Sequence, residues 1–132
     1  MAGLAQLVVT IHVLLALATA TAVVVLGIIA LAAAIGASVS RTALDRLVLA
    51  AILAAAFAAA SGLAVLGIGR VPGDPLHLLY GIAAIVVLPI ARALVSRRTR
   101  RGSLPTAQGL GRWLLTGSLV TLGVLLRLAM TG

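Results

Sequence analysis

The chain has 132 residues, 63% of them hydrophobic, with ten Lys and Arg residues against two Asp and Glu and no cysteine. This composition excludes a water-soluble globular domain, a disulfide framework, a thiolate metal site and a thiol nucleophile. The net charge of +8 does not indicate nucleic-acid binding, because the arginines lie between apolar segments and no aromatic-rich surface is available to stack bases.

Four apolar segments fill almost the whole chain, and each is long enough to cross a hydrocarbon core of about 30 Å at about 1.5 Å per residue. They span residues 4–37, 47–68, 76–95 and 113–130. We therefore predict an all-α protein, with residues 1–132 as one integral membrane domain folded as a four-helix transmembrane bundle of up-down-up-down topology. No basic residue precedes the first segment, so we expect it to be retained rather than cleaved as a signal peptide.

The arginines favour one orientation in the plasma membrane. Eight of the ten lie in or beside the connections between segments one and two and between segments three and four: Arg41, Arg46, Arg92, Arg97, Arg98, Arg100, Arg101 and Arg112. The opposite side carries Arg70 and Arg127. The positive-inside rule therefore predicts that both termini are outside and that the arginine-rich loops are cytoplasmic.

Local signals predict how the helices begin, bend and end. Thr42–Asp45 resembles a capping box at the start of the second helix. Asp74 is predicted to cap the third helix, with Pro75 as its first residue, and Pro89 to kink that helix. The connection at 96–111, with its arginines, Gly and Pro, is predicted to be a long, exposed and mobile loop.

Small residues at helical spacing predict the packing faces of the bundle. They are Ala16, Thr19, Ala20, Val23 and Gly27 in the first helix, Ala54, Ala58, Ser61 and Gly62 in the second, and Gly117 and Gly123 in the fourth.

His12 and His77 are the only histidines, and both are predicted near the outer face at similar depth. Neutral imidazole is a common axial ligand of haem iron, so two histidines on facing helices can hold one b-type haem between them. Ala16 and Thr19 follow His12 by one and two turns, and Gly81 follows His77 by one turn. These small residues leave space for a flat macrocycle.

The segments Ile11–Val13 and Pro75–Gly81, each with one histidine, resemble the four-helix haem-binding membrane bundles, such as cytochrome b561-type domains or one half of haem A synthase. The resemblance implies at most one haem, because the b561 pattern has two histidine pairs and this chain has material for one. The outer arginines, Arg70 and Arg127, are the candidate partners of the haem propionates.

Other interpretations remain open from the sequence. Histidines near an interface also serve as amphipathic anchors, and the chain then fits a non-catalytic structural or accessory subunit of a larger membrane complex, or a homo-oligomer. A Zn or Cu site with Asp74 as third ligand has too few ligands to be favoured. Both acids, Asp45 and Asp74, lie at helix starts, which argues against proton-coupled transport. No residue set indicates an enzyme.

Overall fold

The computed structural model describes residues 2–100 and 106–131 and contains four α-helices. They are α1 (Ala2–Ala34), α2 (Arg41–Gly67), α3 (Leu76–Arg100) and α4 (Ala107–Thr131). Each helix contains a stretch long and apolar enough to cross a membrane. The chain is thus an all-helical integral membrane protein, as predicted. The side of the membrane on which the termini lie stays a prediction.

Three helix boundaries lie five or six residues from the segment ends predicted by hydropathy, and the others lie within three. α2 begins at Arg41 rather than residue 47, α3 continues to Arg100 rather than residue 95, and α4 begins at Ala107 rather than residue 113. The prediction of a loop over all of 96–111 is therefore wrong, because residues 96–100 belong to α3 and residues 107–111 belong to α4. The physical reason is that arginine is a good helix former, so the backbone continues its hydrogen bonding past the apolar segment.

The cap of α2 also differs from the prediction. Ser40, not Thr42, is the N-cap, and its side-chain oxygen accepts a hydrogen bond from the Ala43 N–H at 3.1 Å. Asp45 instead lies 4.0 Å from the guanidinium of Arg41, one turn before it. Both groups are well exposed, so this pair contributes little to stability.

Glycine ends both helices that precede a tight turn. Gly36 follows α1 with φ +95°, and Gly69 follows α2 with φ +80°. At α1, the Ala37 N–H reaches back to the Ala32 carbonyl at 2.9 Å, which is the bond that closes a Schellman motif. A left-handed backbone of this kind favours glycine, because a Cβ would clash with the following carbonyl.

Side-chain contacts define the order of the helices. The Gln108 amide at the start of α4 donates to the Ala34 carbonyl at the end of α1 (3.1 Å), and His12 near the start of α1 contacts Ala58 near the end of α2 (3.1 Å). Such contacts are those of antiparallel neighbours. Along their described lengths, α1 packs on α2 and α4, and α3 packs on α4 and less extensively on α2. The backbones of α2 and α4 approach each other at a few positions, whereas those of α1 and α3 do not come close. α1 and α3 therefore lie diagonally across the bundle.

The core is concentrated in one half of the molecule. The buried residues within the described ranges fall at 19–34 in α1, 44–55 in α2, 84–95 in α3 and 110–121 in α4. We call this half, next to the α1–α2 and α3–α4 connections, the arginine end. The other half, residues 2–18, 56–83 and 122–131, is the histidine end, and its inward side chains are only half-buried. The helices thus pack tightly at one end and more loosely at the other.

Candidate functional site at the histidine end

Both histidines lie on the core-facing stripe of their helix. His12 precedes the buried Thr19 and Leu26 by seven and fourteen residues, and His77 precedes the buried Ala84 and Ala91 in the same way. Seven residues make about two turns, so these side chains share one face. The structure therefore places the two histidines on the inner faces of α1 and α3, at the same end of the bundle and half-buried.

His12 is held against α2 by polar contacts. Its Nδ1 lies 3.1 Å from the Ala58 carbonyl oxygen and 3.0 Å from the Ser61 Oγ. The Ser61 hydroxyl itself donates to the Ala58 carbonyl at 2.7 Å. The imidazole packs over Gly62, where an added Cβ would lie 3.1 Å from the ring Cε1. The ring is thus fixed by one short segment of α2, residues 58–62, which we call the histidine seat.

His77 has a different environment. Its Nδ1 is buried and has no hydrogen-bond partner among the described residues. The nearby carboxylate of Asp74 is engaged elsewhere, since its Oδ1 accepts the Leu76 N–H at 2.8 Å, and the Asp74 carbonyl accepts the His77 N–H at 3.0 Å. The predicted capping role of Asp74 is confirmed by this bond. An unpaired buried ring nitrogen is uncommon in proteins.

The position one turn after His77 is loosely packed. Gly81, one turn after His77 on the same face, is half-buried, yet an added Cβ there would meet nothing within 4 Å. This contrasts with Gly111 at the arginine end, where an added Cβ would lie 2.7 Å from a carbonyl oxygen. Packing is therefore looser beside His77 than at Gly111.

Arg70 and Arg127 both lie at the histidine end, in the α2–α3 connection and near the end of α4. Their side chains are exposed, and neither guanidinium makes an ion pair within the described ranges. The two cations are thus available to an anionic group at the membrane surface.

The described residues hold no group of three or more His, Cys, Asp and Glu side chains arranged for a metal ion. His12 and His77 stand on diagonally placed helices, and no hydrogen bond joins them within the described ranges. A single group that binds both must span the bundle interior. Two histidines are too few to hold a bare Zn ion, which takes three or four protein ligands.

Sequence reasoning identified Ser61 and Gly62 as packing residues and did not connect them with His12. Their only sequence signal is the run of small residues in α2, which indicates a close contact but not its partner. No protein-family profile, curated protein or solved structure matches the chain.

Proposed function

We propose that this small integral membrane protein binds one b-type haem at its histidine end, with His12 and His77 as axial ligands, and that it takes part in electron transfer. The observation that carries the proposal is the placement of the two histidines, of which His77 is half-buried on the core face of α3. The second histidine lies on the inner face of the diagonally opposed helix at the same end.

The surrounding residues fit such a group. The open position at Gly81 leaves space beside one ligand, and the absence of a side chain at Gly62 lets the other imidazole approach α2. Arg70 and Arg127 supply exposed positive charge at the same end, where haem propionates meet the membrane surface. When bound, the haem supplies a one-electron carrier. The chain's own residues hold it, orient it and keep its faces away from water.

The test is the absorbance spectrum of the protein, purified in mild detergent from cells supplied with a haem precursor. We expect a Soret band and sharp reduced α and β bands, with about one haem per chain. His12→Ala and His77→Ala should each abolish the low-spin spectrum, because each removes one axial ligand.

The matched control is Thr10→Ala, which changes an exposed residue of the same helix whose hydroxyl bonds only to the Gln6 carbonyl. This variant should keep the spectrum. Membrane insertion, measured as resistance to alkaline extraction, should be equal in all variants. A purified, inserted protein without a Soret band under haem supply contradicts the proposal.

A second candidate function is that of a non-catalytic structural or accessory subunit. It is favoured by one surface of α2, where the exposed residues Ala56, Ala60, Ala64 and Gly67 form a small-residue ridge along the helix. Ridges of this kind let another transmembrane helix approach closely. If the protein has this function, native extracts should contain it in a complex larger than the monomer, and Ala60→Leu should disperse the complex while leaving insertion intact.

A further inference from the structure

The polar contacts of His12 fix which ring nitrogen carries the proton. We propose that the histidine seat holds His12 as the neutral tautomer protonated at Nδ1, so that Nε2 presents a lone pair to an electron-pair acceptor such as haem iron. The identity of that acceptor rests on the proposed function, whereas the tautomer rests on contacts within the chain.

The Ala58 carbonyl can only accept hydrogen bonds. At 3.1 Å from its oxygen, the Nδ1 of His12 makes a favourable contact only when it carries a hydrogen. A bare Nδ1 there would set two lone pairs against each other.

The Ser61 hydroxyl can donate only one hydrogen. That hydrogen is directed to the Ala58 carbonyl at 2.7 Å, so the serine oxygen accepts from Nδ1 at 3.0 Å. In this arrangement the Nδ1–H of His12, the Ser61 hydroxyl and the Ala58 carbonyl each have a hydrogen-bond partner. If Ser61 instead donated to Nδ1, the contact between Nδ1 and the Ala58 carbonyl would be repulsive. The network therefore excludes the tautomer protonated at Nε2.

The hydrogen bond from Nδ1 also affects the opposite nitrogen of the ring, Nε2. A histidine that donates its Nδ1–H to a backbone carbonyl has its tautomer and orientation fixed, and its Nε2 becomes a better ligand. The Nε2 of His12 has no hydrogen-bond partner among the described residues. Ser61 is thus a positioning residue for the ligand, because it acts through the imidazole and not on the iron.

The ring of His12 also packs over Gly62. A Cβ at this position would lie 3.1 Å from Cε1 and 3.5 Å from Nδ1 of His12, so alanine requires the ring to shift by a few tenths of an ångström against its two hydrogen bonds. Gly67, in the same helix, has nothing within 4 Å of an added Cβ and is the matched control. The pair Gly62→Ala and Gly67→Ala therefore separates displacement of the ring from a general effect of alanine in α2.

The experiment is nitrogen NMR of the full chain in lipid nanodiscs, without haem, at a pH where the imidazoles are neutral. The chain has only two histidines, so the protein is labelled with ¹⁵N-histidine, purified through a tag free of histidine and assigned with His77→Gln. We expect the His12 Nδ1 to be protonated and its Nε2 to be bare, opposite to the tautomer that histidine prefers in water. A protonated Nε2 in the unaltered chain overturns the proposal.

The variants give a second readout. Gly62→Ala should produce a mixture of tautomers, Ser61→Ala should shift the populations toward the Nε2-protonated form, and Ser61→Thr, which keeps the hydroxyl, should restore the original state. In haem titrations, Ser61→Ala and Gly62→Ala should weaken binding by about 10–100-fold, the usual effect of losing an outer-shell partner. Unaltered tautomers in Gly62→Ala contradict the seat. The expected tautomer without haem binding contradicts the proposed function alone.

Discussion

Gly111→Ala tests the packing that joins α4 to α1. An added Cβ would lie 2.7 Å from the Ala30 carbonyl oxygen, 2.8 Å from the Ala33 Cβ and 2.8 Å from the Ala34 nitrogen. Two of these three atoms belong to the backbone, which cannot rotate away, so the two helices must separate. Overpacking of this kind costs about 1–3 kcal/mol. Separation also weakens the bond from Gln108 to the Ala34 carbonyl, worth about 1 kcal/mol.

The matched control is Gly123→Ala in the same helix, where an added Cβ meets nothing within 4 Å. Both variants gain the same helix propensity, about 1 kcal/mol for glycine to alanine, so their difference isolates the steric cost. We expect Gly111→Ala to be about 2–4 kcal/mol less stable than Gly123→Ala. Trp113 is the only tryptophan and lies two residues from Gly111, so its fluorescence during SDS titration in mixed micelles reports the unfolding. Equal unfolding midpoints for the two variants would refute the argument.

Three further predictions concern the bundle and its orientation. Ser118→Ala should leave the free energy of unfolding unchanged or raise it by up to about 1 kcal/mol, measured by the same titration, because the hydroxyl is fully buried without a partner. Gly117→Ala should destabilise, since its Cβ would lie 2.9 Å from the Ala91 Cβ, and adding Ala91→Gly should recover part of the loss. A reporter fused after Gly132 should be active outside the cytoplasm and one inserted at Ser103 active inside, as the arginine distribution requires; both positions lie outside the described residues, and the reverse pattern would overturn the orientation.

The number of helices was predictable from the sequence, whereas their ends were not. Hydropathy detects the apolar part of each helix, and helical hydrogen bonding continues beyond it at Arg41, Arg97 and Ala107. The carboxylate of Asp74 marked the start of α3 correctly, because an N-cap has specific side-chain requirements. The capping box at Thr42 did not mark the start of α2, where Ser40 is the cap.

The candidate site was predictable in part. The spacing of His12 and His77 from the helix ends placed both histidines at one end, and the structure has them there. The contact between His12 and Ser61 was not predictable, because it depends on the rotation of α1 against α2. A run of small residues in each helix is compatible with several such rotations. The core that fixes this one includes Leu44 and Val48 of α2 together with Val23 and Leu26 of α1, away from His12 and Ser61.

The uneven packing of the two ends makes the site testable without loss of the fold. The fully buried side chains that hold the helices together lie at the arginine end, so substitutions at His12, Ser61 or His77 remove little buried apolar area and should leave the bundle intact. The same arrangement has a chemical consequence. A site that binds a group after membrane insertion must stay accessible until then. Helices that pack tightly at one end of a bundle can stay further apart at the other. If the proposed haem binds there, it would bury apolar surface of the inward residues that are half-exposed at the histidine end, so its binding should stabilise that end.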